Sequence, residues 1–155
     1  MKLTILSLGH KMPAWAQGGV DEFARRMPPE ARIESIELKP EDRSSKSVAK
    51  LLEQEALRIN AAIPKNAQRI VLDEHGIPLT TKVLAAWMEG WMAHGVSPCF
   101  IIGSADGLAP SVKQSADKLA ALSGCTLPHG MVRVMLTEQL YRAWSLLKNH
   151  PYHRE

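Results

Sequence analysis

The sequence has few of the residues from which metal sites and disulfide frameworks are built. Only two of its 155 residues are cysteines, Cys99 and Cys125, and no CxxC spacing occurs. They therefore indicate neither a zinc site nor a disulfide framework. Asp73, Glu74 and His75 are possible metal ligands, but adjacent residues at the end of a strand point in different directions. We therefore expect no bound metal.

Long apolar runs are absent as well. The longest uncharged apolar stretch is far shorter than the roughly 20 residues that span a bilayer, so we expect no membrane partner. Residues 1–12, MKLTILSLGHKM, begin like a signal peptide, but the apolar stretch is very short and His10 and Lys11 follow it. A first β-strand is the better interpretation of this segment, and we expect a cytoplasmic protein.

Aromatic residues make up 5% of the chain, whereas hydrophobic residues make up 45% and charged residues 23%, as in ordinary globular proteins. The net charge of +3 permits an anionic partner such as RNA but does not require one. A chain of this length buries about 68–70% of its unfolded surface on folding. We therefore expect one domain over residues 1–155.

Apolar periodicity predicts strands and helices that alternate along the chain. The predicted strands are Lys2–Gly9, Arg32–Lys39, Arg69–Asp73, Cys99–Gly103 and Leu119–Leu122. The predicted helices cover residues 13–27, 47–62, about 80–95, a short stretch from Pro110, and 130–148, and a polar loop with Arg43 and Lys46 covers 40–46. Because the later strands are continuously apolar, we predict an α/β fold with a parallel sheet covered by helices on both faces.

Three loops at strand ends are the candidate ligand site, because ligands of open α/β sheets bind beyond the carboxyl ends of the strands. The loops contain LDEHG, GSADGLAP and LSGCTLPHG, and none of them matches G-x-G-x-x-G or a phosphate-binding P-loop. A classical dinucleotide or nucleoside triphosphate site is therefore not predicted. Backbone groups of such loops can still hold an adenine-bearing ligand. His129, at the start of the last helix, fits a capping role as well as a catalytic one.

The C-terminal segment NHPYHRE, residues 149–155, crowds several groups that bind or transfer protons. Tyr152 offers a stacking face, His153 can titrate near neutrality, and Arg154 can bind a phosphate or a carbonyl through two N–H groups. Glu138 and Arg142 are spaced i, i+4 on the last helix and can form an ion pair. Together these groups suit a nucleotide.

The whole chain resembles one protein family. The string TLPHGMVRVMLTEQLYRAWSLLKNHPYHRE resembles the C-terminal signature of the large ribosomal subunit methyltransferase H family, a branch of the SPOUT class. LSLGHKMPAW, RIVLDEHG and IIGSADGLAP align in order with the same family. The resemblance covers essentially the full length.

The resemblance implies an α/β fold with a C-terminal trefoil knot and a homodimer. It implies methylation of N3 of a pseudouridine in the 23S rRNA of the 70S ribosome, with S-adenosylmethionine as the methyl donor. The implied donor-binding residues are Leu72, Gly103, Leu122, Ser123, Gly124, Cys125, Thr126 and Leu127. The implied catalytic residues are Arg142, Tyr152, His153 and Arg154, at a site that the partner subunit completes.

Two segments depart from the family pattern. The family commonly has GGPEG where this chain has GSADG at 103–107. If Ser104 adopts a positive φ, the strain would cost on the order of 1 kcal/mol of stability relative to glycine. Ile77 stands where the family commonly has lysine. Two alternatives stay open: a ribosome-binding module without turnover, which would bind no S-adenosylmethionine, and a nicotinamide-dependent enzyme, which the missing glycine fingerprint disfavours.

Overall fold

The computed structural model describes residues 1–9, 11–42 and 47–154. Its strands are β1 (Lys2–Leu8), β2 (Arg32–Leu38), β3 (Gln68–Pro78), β4 (Pro98–Ile102) and β5 (Lys118–Ala121). Its α-helices are α1 (Ala14–Arg26), α2 (Val48–Ala62), α3 (Thr81–His94), α4 (Pro110–Gln114) and α5 (His129–Leu147), and 3₁₀ turns cover Pro29–Ala31 and Pro151–Arg154. The expectations for His10, Arg43, Lys46 and Glu155 lie outside the described residues.

The five strands form one parallel sheet in the order β2-β1-β4-β3-β5. Alternate side chains of β1 enter different cores: Leu3 and Ile5 pack with residues of α3 and α5, whereas Leu6 and Leu8 pack with residues of α2 and α4. The α/β fold with helices on both faces is thus confirmed, and the trefoil knot stays a prediction.

Helix ends follow the side chains that the sequence provides for them. The Ser47 side chain accepts a hydrogen bond from the Lys50 N–H at 3.3 Å, and the Thr80 side chain accepts one from Val83 at 3.1 Å. Gly95 ends α3 with φ +65°, a left-handed conformation that glycine adopts without a Cβ penalty. The helix predicted over about 80–95 is thus confirmed, with Thr80 as its N-cap and Gly95 at its end.

Strand β3 is longer than predicted. The chain pairs with β5 up to Leu72, leaves the ladder, and pairs again from Ile77, so that both residues lie opposite Ala120. The segment LDEHG therefore lies within the strand and not after it. Its polar residues interrupt the apolar pattern and form an irregularity in β3, after which the pairing with β5 resumes. Gly76 is required there, since a Cβ would lie 2.5 Å from the Ala120 nitrogen.

No helix of the described residues is both long and apolar enough to cross a lipid bilayer.

Candidate functional site

The irregular segment 72–75 of β3 and the loops that follow β4 and β5 surround a cleft of about 680 Å³, here called the loop cleft. Seven of the eight predicted donor-binding residues line it: Leu72, Gly103, Ser123, Gly124, Cys125, Thr126 and Leu127. Leu122 lines a smaller adjoining cleft of about 180 Å³, which shares Leu72, Ser123 and Leu127 with the loop cleft. The structure therefore brings all eight residues to one edge of the sheet.

The turn that follows β4 packs tightly against itself. The Gly107 N–H donates to the Ser104 carbonyl at 2.9 Å, and a Cβ on Gly103 would lie 2.7 Å from the Gly107 carbonyl oxygen. The residue with positive φ is Gly107, at +84°, and Ser104 is not among the described residues with positive φ. The strain considered for Ser104 is therefore absent, because the turn places its left-handed residue at the second glycine.

Acidic side chains lie on one wall of the loop cleft. The Asp73 carboxylate is largely buried and pairs with the Lys113 ammonium at 3.1 Å, and its other oxygen accepts a hydrogen bond from the His75 N–H at 3.3 Å. Glu74 and His75 are exposed and lie 3.3 Å apart. Among the described residues, no group of three possible ligands is arranged to hold a metal.

A second cleft of about 520 Å³ adjoins the first at Gly103, Ser104 and Leu127, and His129 also lines it. The Nε2 atom of His129 is buried without a hydrogen-bond partner, and a Cβ on Gly9 would lie 2.9 Å from the imidazole Cε1. The α5 N-terminus has no side-chain cap, so the capping interpretation of His129 is wrong.

Burial lowers the pKa of His129, and the nearby Arg133 guanidinium lowers it further. Glu37 and a backbone hydrogen bond with Leu8 oppose the shift without reversing it. The imidazole is therefore held in its neutral form.

The C-terminal segment folds back onto α5, because Asn149 adopts a left-handed φ of 54° and the His150 N–H donates to the Ser145 carbonyl at 2.8 Å. The Nδ1 atom of His153 contacts the His150 carbonyl oxygen. A carbonyl oxygen only accepts, so Nδ1 carries the proton and Nε2 is the basic nitrogen of the neutral ring. Arg154 ends the same 3₁₀ turn and is exposed.

Glu138 joins two of the predicted catalytic residues. Its Oε1 accepts a hydrogen bond from the Arg142 Nε at 2.8 Å and one from the Tyr152 hydroxyl at 2.9 Å. The Arg142 guanidinium carbon lies 4.8 Å from the centre of the Tyr152 ring, close enough for a cation–π contact. The predicted ion pair between Glu138 and Arg142 is confirmed, with 2.7 Å between the Arg142 Nη2 and the Glu138 Oε1.

The protonation states follow from these contacts. The hydrogen bond with Glu138 raises the pKa of Arg142, so the guanidinium stays charged. Burial and then the hydrogen bond with Glu138 raise the pKa of Tyr152, so the hydroxyl stays protonated and continues to donate. Arg142 and Tyr152, held by Glu138, therefore present a positive charge and an oriented aromatic ring.

One member of this cluster escaped the sequence analysis. The Arg26 guanidinium carbon lies 5.7 Å from the centre of the Tyr152 ring and 5.2 Å from that of Phe23. Arg26 lies in the last turn of α1, and no local sequence pattern indicates that α1 lies beside the C-terminal segment.

Glu138, Arg142, Tyr152, His153 and Arg154, with Arg26 beside them, are here called the C-terminal cluster. The loop cleft and the C-terminal cluster lie apart in a single chain. A cleft of about 490 Å³ beside the cluster is lined by Thr81, Lys82, Gln139, Arg142, Leu146 and His153, and among the described residues none lines both clefts. His129 begins α5 and Arg142 lies 142 − 129 = 13 residues later. At about 1.5 Å of rise per residue, His129 and Arg142 are roughly 20 Å apart along the helix axis.

Comparisons with known proteins find matches over essentially the whole chain. A family model described as "Predicted SPOUT methyltransferase" matches residues 1–153. The "Ribosomal RNA large subunit methyltransferase H" of Ralstonia pickettii (strain 12J) is 56% identical over 155 residues, and that of Burkholderia mallei (strain SAVP1) is 55% identical, each covering 99% of both chains.

A solved structure also shares the fold. The crystal structure of a methylase family protein from Neisseria gonorrhoeae has a TM-score of 0.55 and 11% sequence identity, and the match covers 90% of this chain and 81% of that chain. At this identity the likeness shows a common fold alone.

Proposed function

Because the chain belongs to the SPOUT methyltransferase family, we propose that it methylates large-subunit ribosomal RNA with S-adenosylmethionine as the methyl donor. The acceptor is N3 of a pseudouridine in the 23S rRNA of the 70S ribosome, and the enzyme is a cytoplasmic homodimer. One methyltransferase domain spans residues 1–155. The name that the two relatives share supports the RNA class. The resemblance of the C-terminal segment to the methyltransferase H family supports the acceptor atom.

The observation that carries the proposal is the convergence of the donor-binding residues at the loop cleft. Three loops, separated by tens of residues in sequence, meet at the carboxyl edge of the sheet, where α/β proteins bind their ligands. A volume of about 680 Å³ is in the usual range for a small-molecule site.

The residues of the loop cleft fit this donor. The turn at Gly103 closes tightly at the cleft wall. The carboxylates of Asp73, which pairs with Lys113, and of the exposed Glu74 line the cleft that would receive a ligand with two positively charged groups. The bound donor supplies an activated methyl group on a sulfonium. The chain's task is then to align the acceptor with that methyl group and to make the acceptor nitrogen nucleophilic.

The C-terminal cluster is proposed to prepare the acceptor. N3 of a pseudouridine carries a weakly acidic proton that must leave, and Nε2 of His153, the basic nitrogen of that ring, accepts it. Arg142 or Arg154 stabilises the negative charge that develops on the flanking carbonyl oxygens. Tyr152 orients the base by stacking.

The distance between the two groups supports the dimer. Methyl transfer requires reacting atoms about 3–3.5 Å apart, whereas Arg142 lies roughly 20 Å along α5 from His129, whose cleft adjoins the loop cleft. A second copy brings its C-terminal cluster to the loop cleft of the first, and two-fold symmetry then completes two sites.

The experiment that tests the proposed function is mass spectrometry of 23S rRNA nucleosides from cells that lack this gene. We expect an N3-methylated pseudouridine to disappear, to return when the gene is restored, and to stay absent when the restored copy carries Arg142→Ala. An unchanged nucleoside profile in the cells without the gene contradicts the proposal. Isothermal titration with S-adenosylmethionine separates the enzyme from a ribosome-binding module without turnover.

A further inference from the structure

Glu55 is a buried acidic residue, and burying a carboxylate is unfavourable unless hydrogen-bond donors or charges compensate for the lost water. Its side chain lies on α2, is 1% exposed, and is the one acidic side chain in the buried class among the described residues. One oxygen accepts a hydrogen bond from the Ser104 hydroxyl at 3.1 Å, and the other accepts one from the Glu41 N–H at 2.8 Å. The carboxylate therefore connects α2 to two loops that are distant in sequence.

Burial makes these hydrogen bonds costly to lose. A carboxylate that leaves water is strongly destabilised unless donors surround it, and hydrogen bonds to a charged acceptor are stronger than those between neutral groups. The Ser104 hydroxyl is therefore held firmly at its position. Ser104 lies 49 residues after Glu55 in the chain, so no local sequence pattern contains this contact.

Ser104 belongs to the turn that separates the two larger clefts. Gly103, Ser104 and Ala105 line both of them, and the Ser104 carbonyl closes the turn by accepting from Gly107. The Ser104 hydroxyl donates to Glu55 and lies 3.5 Å from the Gly107 carbonyl, while the Ser104 carbonyl accepts from Gly107, so both polar groups of Ser104 restrain the turn. The wall of the loop cleft thus depends on a carboxylate that does not line it.

We propose that Glu55 is a positioning residue for the methyl donor: through Ser104 it holds the turn 103–107 in the shape that the loop cleft requires. The inference rests on the proposed function of that cleft. At position 104 the family pattern commonly has glycine, whereas this chain has serine. A glycine has no hydroxyl that could donate a hydrogen bond to the Glu55 carboxylate. The chain therefore holds its turn by a side-chain contact as well as by backbone geometry.

The test compares Ser104→Ala, Ser104→Thr, Glu55→Ala and the double variant Glu55→Ala/Ser104→Ala. Ser111→Ala is the matched control, since Ser111 is an exposed serine on α4 that lines none of the described clefts. Isothermal titration gives the Kd for S-adenosylmethionine, single-turnover kinetics at saturating donor give the rate of methyl transfer, and thermal unfolding checks the fold. Hydrogen exchange at the Gly107 amide reports on the turn without any ligand.

We expect Ser104→Ala to weaken donor binding about fivefold to tenfold, with the rate at saturating donor within about twofold of wild type. Ser104→Thr keeps a hydroxyl and restores the affinity, and Ser111→Ala leaves it unchanged. Exchange at Gly107 becomes faster in Ser104→Ala. Glu55 acts through Ser104, so the two losses of affinity should not add. The Kd of the double variant should lie within about twofold of the Kd of whichever single variant binds the donor less tightly.

Two results overturn the inference. The first is a Ser104→Ala protein that keeps wild-type affinity and wild-type exchange at Gly107. The second is a double variant in which the two losses of affinity simply add. If the wild-type protein binds no S-adenosylmethionine, the proposed function fails, and this inference fails with it. If the wild type binds the donor and the variants give either result above, only this inference fails.

Discussion

The hydroxyl of Tyr152 donates to Oε1 of Glu138 at 2.9 Å, and this bond fastens the C-terminal segment to α5. The same oxygen accepts from the Arg142 Nε at 2.8 Å. One partly buried carboxylate therefore sets the position of a ring and of a charge that are both proposed to meet the acceptor base. The function of the segment depends on a residue outside it.

Replacing Glu138 with alanine tests this dependence. We expect turnover to fall roughly tenfold to a hundredfold, since Arg142 and Tyr152 lose their common acceptor, and the free energy of unfolding to fall by about 1–2 kcal/mol. Methylation kinetics and thermal unfolding measure the two effects. Glu34→Ala is the control, because Glu34 forms comparable ion pairs with Lys2 and Arg32 away from the clefts. Full activity in Glu138→Ala would show that the pairing is incidental.

His153→Ala should slow methyl transfer by about a hundredfold or more, the usual contribution of a positioned base. Donor affinity should stay at the wild-type value, because His153 does not line the loop cleft. His94→Ala, an exposed histidine on α3, serves as the control. Equal rates for His153→Ala and wild type would exclude His153 as the proton acceptor.

Mixed dimers test whether two chains build each site. Arg142→Ala should be folded but inactive, and Gly103→Val should lose donor binding, because its Cβ would lie 2.7 Å from the Gly107 carbonyl oxygen. When the two inactive variants are mixed and refolded together in equal amounts, half of the dimers are mixed and each has one intact composite site. The mixture should regain about a quarter of wild-type activity. No recovery from verified mixed dimers would mean that each chain works alone.

Two glycines give opposite predictions for the same substitution. Gly76→Ala should lower the free energy of unfolding by roughly 2–4 kcal/mol, because the added Cβ would lie 2.5 Å from a backbone nitrogen of β5 that cannot move aside easily. Gly90→Ala, inside α3 with open space around it, should raise that free energy by about 0.5–1 kcal/mol. Chemical denaturation of both variants measures the difference. A stable Gly76→Ala protein would show that β5 can shift to make room.

The lowered pKa of His129 predicts a stability that depends on pH. Below the ordinary histidine value of 6.5, the unfolded chain binds a proton at this residue while the folded chain resists it. The free energy of unfolding should therefore fall as the pH falls from about 6.5 towards the lowered value. Denaturation at several pH values should show this decline in wild type and a weaker one in His129→Gln. His75→Gln, an exposed histidine variant, should behave like wild type, and an unchanged slope in His129→Gln would contradict the assignment.

Much of the fold could be predicted because its signals are local. The five strands, the Thr80 cap and the end of α3 at Gly95 each depend on a few adjacent residues. The loops proposed to bind the donor could be located for the same reason, since parallel strands present their carboxyl ends at one edge of the sheet. The second half of β3 was missed, because Asp73 to Gly76 end the apolar pattern and pairing with β5 resumes only at Ile77.

The contacts that complete the site could not be predicted, because they join distant segments. Arg26 reaches Tyr152 from α1, and Glu55 reaches Ser104 across 49 positions. Neither residue differs in its neighbourhood from an ordinary surface position of an amphipathic helix. Only the packing of α1 and α2 against their neighbours shows what these side chains touch. The roles of Arg142, Tyr152, His153 and Arg154 stay predictions that the variants above test.

The two thiols of the chain differ sharply in their surroundings. Cys99 is fully buried on β4, where burial raises its pKa to about 11, whereas Cys125 is exposed in the loop after β5 and lines the loop cleft. Alkylating reagents attack the accessible thiolate, so the folded protein offers them a single target. A fluorescent maleimide attached to the unaltered chain would sit at the mouth of the cleft and report occupancy by a change in emission.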